Sequence, residues 1–277
     1  MITVTANGAT IPALGFGTFR MSDPDVLRMV PHVLELGFRH IDTAQIYGNE
    51  AAVGEGLARS GIARADVFLT TKVWVENYRH DDFLVSVDES LAKLRTDYVD
   101  LLLLHWPNVS VPLADQIGAL NEVRRSGRVR HIGVSNFTVA LMKEAIRLSD
   151  APLVTNQVEY HPYLDQTLVI EAARRAGLSI TAYYGMADGR VFADPVLHEI
   201  GNRHGKSVAQ VVLRWLLQQE GLVALSKTVT NARAAENLAV FDFELSDEEM
   251  AFIHALAKPD GRLVSPPGLA PEWDAAV

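Results

Sequence analysis

Eight short β-branched or apolar runs alternate with helical patterns along this chain, and that rhythm constrains the fold more than any other feature. The runs are Leu14–Thr18, His40–Thr43, Val67–Val73, Val99–His105, His131–Val134, Leu153–Val158, Ser179–Tyr183 and Val223–Ser226. Between them, Phe83, Val87, Leu91 and Leu94 fall on one helical face, and Leu113, Ile117, Leu120 and Val123 on another. Val208, Val211, Val212 and Trp215 form a third stripe in the last long connection, which is long enough for two helices. Ahead of the first run, Ile2–Thr5, Asn7-Gly8 and Thr10–Ile11 read as a hairpin with an Asn-Gly turn. Asn231–Val240 and a helix opened by Ser246-Asp-Glu-Glu249 follow the eighth run.

Eight such units predict an α/β fold, a (β/α)8 TIM barrel with an N-terminal β-hairpin and extra helices near the C-terminus. The rival is a doubly wound open sheet, which needs a glycine-rich phosphate loop after its first strand. Gly15-Phe16-Gly17 supplies only its first half. With no internal linker or low-complexity stretch, residues 1–277 read as one barrel domain whose tail, 259–277, packs over or near the pocket.

Composition narrows the function. With 25 basic and 34 acidic residues the chain carries a formal charge of −9, so no overall positive field draws nucleic acid or anionic lipid. Without cysteine there are no thiolate nucleophiles or thiolate metal sites. His105, His131 and His161 lack ligand spacing, so no metal is expected. No apolar run suffices to span a bilayer, and no basic segment precedes an apolar one at the start. The expectation is a soluble, cytoplasmic protein without membrane or nucleic-acid partners.

In a TIM barrel the site lies at the C-terminal ends of the strands. Those ends carry Asp42, Lys72, His105, Ser135, Asn136, Gln157, Tyr183 and Lys227. Tyr47 follows just after Asp42. A free phenol is a weak acid at neutral pH, but a neighbouring ammonium lowers its pKa. Lys72 can act so on Tyr47 if Asp42 holds it, while His105 orients a carbonyl oxygen from the other side. The group suits protonation of an oxygen that is gaining charge, with a nicotinamide as hydride source. Structural alternatives stand beside this: an interior Asp42–Lys72 ion pair, a loop aromatic at Tyr47, a core histidine at 105.

A second cluster follows the eighth run. Lys227, Thr228 and Arg233, with Asn231 as helix N-cap, form a basic island in an acidic chain. Barrels often bind phosphate there, although both cations could be simple solvated charges.

These residues sit in strings that resemble the aldo-keto reductase family over almost the whole chain. The strings are Gly37-Phe-Arg-His-Ile-Asp-Thr-Ala44, Tyr47-Gly-Asn-Glu50, Thr71-Lys-Val-Trp74 and Asp100-Leu-Leu-Leu-Leu-His-Trp-Pro107. Ile132-Gly-Val-Ser-Asn-Phe137, Asn156-Gln-Val-Glu-Tyr-His-Pro162 and Ser226-Lys-Thr228 with Arg233 and Glu236-Asn237 continue the series. The short connections after strands four and seven look most like the prokaryotic branch similar to 2,5-diketo-gluconate reductases.

The resemblance implies NADPH-dependent reduction of small aldehydes, ketones or keto-sugars by a monomer. It assigns Asp42, Tyr47, Lys72 and His105 as the catalytic tetrad, with Tyr47 the proton donor. It implies that Ser135, Asn136 and Gln157 hold the nicotinamide carboxamide and that Tyr183 stacks on its ring. Thr18, Asp42 and Gly185 complete that side of the cofactor. Lys227, Thr228 and Arg233 would hold the 2′-phosphate, with Glu236 and Asn237 near the adenine. Phe19, Tyr47, Trp74, His105 and Trp106 would line the substrate pocket, with Trp273 joining from the tail.

Two strings depart from the family pattern. Tyr184-Gly-Met-Ala-Asp-Gly189 replaces a Ser-Pro-Leu-Gly type of loop, which puts Asp188 beside an expected pyrophosphate unless it points away. Leu225-Ser-Lys-Thr228 replaces Ile-Pro-Lys-Ser and keeps the hydroxyl. Two other functions compete with the reductase. One is a lyase forming a Schiff base on Lys72, which leaves Tyr47 and His105 idle. The other is a cofactor-sensing subunit, which need not keep the tetrad.

Overall fold

The computed structural model describes residues 2–275 as eight parallel strands closed into a barrel. In chain order the barrel strands are β3 (Leu14–Gly17), β4 (His40–Asp42), β5 (Phe68–Val73), β6 (Val99–Leu104), β7 (Val129–Ser135), β8 (Leu153–Glu159), β9 (Ser179–Tyr183) and β10 (Leu222–Ser226). Each pairs with the next and β10 returns to β3. Every residue of β6 is buried, which explains its apolar run Leu101–Leu104: a barrel strand is covered by helices outside and side chains within.

The hairpin β1 (Thr3–Ala6) and β2 (Ala9–Pro12) is antiparallel, with Asn7 at φ 43° and Gly8 at φ 86° in its turn. Two successive left-handed residues are what a two-residue hairpin turn demands. Asn7 Nδ2 donates to the carbonyls of Leu153 (2.7 Å) and Ala176 (3.2 Å). Ala9 and Ile11 bury themselves among Leu101, Leu103, Val154 and Val223. The hairpin thus closes the end where the strands begin, leaving the site to the other end.

Outside lie α1 (Asp23–Leu36), α2 (Glu50–Arg59), α3 (His80–Leu94), α4 (Leu113–Arg125), α5 (Val139–Leu148), α6 (Thr167–Arg175), α7 (Pro195–His204), α8 (Val208–Gln218), α9 (Asn231–Leu238) and α10 (Asp247–His254). The connection between β9 and β10 holds the two helices expected of it. The faces read from the sequence are the buried ones: Phe83, Val87, Leu91 and Leu94 on α3, and Val208, Val211, Val212 and Trp215 on α8. Ser246 and Glu249 form a reciprocal capping box at the start of α10, a device contributing about 1 kcal/mol. Asn231 departs from expectation. It is the first residue of α9 and not its cap, because its side-chain oxygen accepts a bond from Arg28 Nη1 at 3.0 Å. Among the described residues no helix is long and apolar enough to cross a membrane.

Candidate active site

Lys72 stands at the centre of the open end. It is fully buried near the end of β5, opposite Leu103 in register, and its ammonium has three N–H groups to place. They go to Asp42 Oδ1 at 2.6 Å, the Thr43 carbonyl at 2.9 Å and the Tyr47 hydroxyl oxygen at 3.4 Å. Gln157 Nε2 donates to the other Asp42 oxygen at 2.8 Å. Five residues, Asp42, Thr43, Tyr47, Lys72 and Gln157, are brought together by the ends of β4, β5 and β8. A buried charge is tolerated only when paired and bonded, and this one is both. The charge and hydrogen bond of Asp42 favour the ammonium form, which has no lone pair for the Schiff base that a lyase would need.

The loop after β4 fixes Tyr47. Its residues Gln45–Tyr47 form a tight helical turn ended by Gly48 at φ 71°. Gln45 Oε1 accepts from Trp74 N (2.8 Å), and Asn49 Nδ2 donates to the Thr18 carbonyl (2.9 Å). Glu50 accepts from the hydroxyls of Thr71 (2.6 Å) and Ser90 (3.2 Å). The Tyr47 ring lies 5.0 Å from Phe19 and 5.7 Å from His105, centroid to centroid. His105 follows β6 and meets Trp74 edge-on at 5.3 Å.

Electrostatics correct one expectation. Burial pushes the Tyr47 phenol well above its ordinary range, and the Asp42 charge pushes the same way. The free protein therefore holds Tyr47 protonated, and Lys72 does not bring it toward neutrality. Neighbours in sequence show the ammonium and not the desolvation. A neutral phenol beside an ammonium is still an acid in waiting, since Lys72 stabilises the tyrosinate left behind. Burial likewise presses Lys72 below its usual value, countered by the charge and hydrogen bond of Asp42. His105 falls well below the histidine range through burial and then the Lys72 charge, so its ring is neutral. Its Nδ1 is buried without a partner. An unmet acceptor costs less than an unmet donor, so the ring proton belongs on Nε2.

The residues expected to hold a nicotinamide form a second bonded group. Ser135 Oγ donates to the Gln157 carbonyl (2.8 Å), and Asn136 Nδ2 donates to the His105 carbonyl (3.0 Å) and to Ser135 Oγ (3.1 Å). The Tyr183 hydroxyl donates to Asn136 Oδ1 at 2.7 Å. Among the described residues Gln157 keeps one N–H and its Oε1 uncommitted, and Asn136 Oδ1 keeps a lone pair. A donor and two acceptors fit a carboxamide. Thr18, fully buried, donates to the Asp42 carbonyl at 3.2 Å and so serves the β3–β4 junction.

The basic island follows β10. Lys227 and Arg233 are exposed and, among the described residues, have no ion-pair or hydrogen-bond partner, while Thr228 is buried. Asn237 is buried and Glu236 half-buried on α9. Unengaged cations at a barrel mouth fit an anion such as phosphate. Arg28, on α1, was missed: it donates to the Val229 carbonyl at 2.7 Å and to Asn231, bracing this loop. Gly185 is buried, and a Cβ there would come within 3.1 Å of Leu216. Asp188, the unwelcome charge of the loop after β9, is exposed and lies 3.6 Å from Arg20 Nη1.

The expected pocket wall is only partly assembled alike. Trp74 is half-buried, Phe19 is exposed, and Trp106 is buried with its ring 6.3 Å from Trp273 of the tail. Trp106 is also bound through its backbone to the Tyr78 hydroxyl, which donates to its carbonyl at 2.9 Å. Glu159, inside a string quoted above but given no role there, is fully buried and grips the tail. Only its place in that string could have drawn attention to it.

Known proteins resemble this chain in sequence and fold. The Aldo/keto reductase family model matches residues 13–258. A methylglyoxal reductase DkgB of Salmonella typhi is 45% identical over 96% of this chain and 100% of its own. Among solved structures, a candidate 2,5-diketo-D-gluconic acid reductase B is 69% identical with a TM-score of 0.98, covering 99% of this chain and 98% of that one. A variant of Gox0644 in complex with NADPH is 33% identical with a TM-score of 0.90, covering 95% of this chain and 96% of that one. The chain belongs to the aldo/keto reductase family.

Proposed function

We propose that this chain reduces small aldehydes and ketones to alcohols with NADPH, α-dicarbonyls such as methylglyoxal foremost. The observation that carries the reading is the Lys72 ammonium, locked by Asp42 and Thr43 with its third N–H on the Tyr47 oxygen. Reduced nicotinamide, when bound, supplies the hydride. Tyr47 gives its proton to the carbonyl oxygen as charge develops there. Lys72 then stabilises the phenolate through the contact it already makes, at no cost of reorganisation. Neutral His105, with its proton on Nε2, donates to the same oxygen and orients it.

Ser135, Asn136 and Gln157 would hold the carboxamide, with Tyr183 against the ring and Gly185 allowing close backbone approach. Lys227, Thr228 and Arg233 would hold the 2′-phosphate, with Glu236 and Asn237 near the adenine. Phe19, Trp74, Trp106 and Trp273 would enclose the substrate, in a pocket left open by the short connection Asn108–Pro112. Preference for α-dicarbonyls is supported by the relative named methylglyoxal reductase, and acceptance of keto-sugars by the one named for 2,5-diketo-D-gluconic acid. We read residues 1–277 as one barrel domain, a cytoplasmic monomer.

The test follows loss of reduced-cofactor absorbance with NADPH, then NADH, against methylglyoxal, simple aldehydes and keto-sugars. Turnover with NADPH in preference to NADH is expected, fastest on an α-dicarbonyl. NADPH that binds but is consumed by no carbonyl would contradict the reading and favour a cofactor-sensing role.

A further inference from the structure

The C-terminal segment is fastened to the barrel through one carboxylate that the reduction does not use. Glu159 is the last residue of β8, and its side chain is 0% exposed. Its Oε1 accepts the backbone N–H of Leu263 at 2.7 Å, and Oε2 accepts that of Val264 at 2.9 Å. His161 Nε2 lies 3.0 Å from Oε1, and Arg262 Nη1 stands 3.7 Å from Oε2. A buried carboxylate is costly unless hydrogen-bonded, and two of its three hydrogen bonds go to the main chain of the tail.

On the tail side, Arg262 and Ser265, which flank those two backbone donors, lead to the pocket. The Arg262 guanidinium lies 3.7 Å above the Trp273 ring, and Trp273 Nε1 donates to Ser265 Oγ at 3.1 Å. Trp273 in turn meets Trp106 edge-on, directly after His105 in the chain. Asp274 accepts the Val139 N–H at 2.9 Å, pinning the far end. Glu159 itself pairs in register with Tyr183 and sits two residues beyond Gln157.

We infer that Glu159 is a positioning residue for the substrate pocket: it latches Arg262–Val264 so that Trp273 is held against Trp106 as the pocket's outer wall. What the pocket binds rests on the reductase reading above; the latch does not.

Glu159→Gln tests it, because glutamine keeps one acceptor and turns an N–H toward the remaining backbone donor. Three quantities decide: amide exchange at Leu263 and Val264, KM against kcat for methylglyoxal, and the Kd of NADPH. The expected result is about tenfold faster exchange at those two amides and a KM raised about tenfold, with kcat and Kd within about twofold. Unchanged exchange overturns the latch. Faster exchange with unchanged KM overturns its connection to the pocket, and a parallel loss of kcat and cofactor affinity overturns it in favour of action through Tyr183. Should the variant not fold, Trp273→Ala decides: a raised KM supports the wall, and an unchanged KM overturns it. If wild-type protein turns over no carbonyl, the reductase reading fails, while amide exchange still decides the latch.

Discussion

Around Lys72 the polar groups are buried and bonded to one another, whereas Lys227 and Arg233 are exposed and, among the described residues, unpartnered. The first region is assembled by folding: Asp42, Lys72 and Gln157 would each be an uncompensated buried group without the others. The second, on the reading proposed above, would take an anion, and its energy is that of charges in water, open to screening. Chemistry that must place a proton within tenths of an ångström uses the rigid kind of site, and recognition of an anion can use the loose kind.

The sharpest way to break this contrast is Lys72→Met. It strands the Asp42 carboxylate in the interior, so unfolding free energy should fall by about 3–5 kcal/mol, and activity by about a hundredfold or more. Urea denaturation and NADPH oxidation measure the two losses. A stability change under 1 kcal/mol would mean that the pair is not a pillar of the fold.

Arg233→Ala should behave in the opposite way. Loss of one charge-assisted contact predicts a NADPH Kd raised about tenfold to a hundredfold, with NADH binding and thermal stability unchanged. Cofactor titration by quenching of tryptophan fluorescence reads it. A lowered melting temperature would erase the distinction between the two regions.

Salt sharpens the comparison further. Raising ionic strength through 0.1 M, where the screening length is about 10 Å, should weaken NADPH binding several-fold and NADH binding less, leaving kcat at saturation unchanged. A kcat that falls with salt would place screened charges at the tetrad.

The smallest effects come with pH. His105 has a depressed folded pKa, so at acid pH the unfolded chain takes up a proton that the folded one refuses. Its contribution is intact above about pH 6.5 and is lost as pH falls below that value. Tyr47 has a raised pKa, so the unfolded chain loses its proton first and stability declines above about pH 10. Thermal melts from pH 5 to 11 should show both limbs, which other histidines such as His40 and other tyrosines such as Tyr78 share, with His105→Gln removing part of the acid one and Tyr47→Phe part of the alkaline one.

Most of the barrel, and the gathering of Asp42, Tyr47, Lys72 and His105 at its open end, was legible because barrel strands announce themselves as apolar runs and their C-terminal ends carry the polar groups. Strand ends needed small corrections only: Leu14–Thr18 stops at Gly17, and His131–Val134 extends to Val129–Ser135. Legibility failed where three-dimensional partners decide. Asn231 looked like a cap until Arg28, about two hundred residues away in sequence, took its side chain. The ion partner of Asp188, Arg20, lies on a different loop and cannot be read from the string around it. Tyr47 was expected to be acidified because burial cannot be read from a tyrosine's neighbours in sequence. Glu159 was passed over, since nothing local tells a latch from a surface glutamate.

On the proposed reading, Tyr47, held protonated and facing Lys72, is the proton donor of the reduction. Single-turnover oxidation of bound NADPH by methylglyoxal, in wild type and in Tyr47→Phe, tests it most directly. A rate slowed at least about a hundredfold, with NADPH affinity and melting temperature retained, is the predicted result. A Tyr47→Phe protein that oxidises NADPH at the wild-type rate would contradict it and require another group, or water, to protonate the carbonyl.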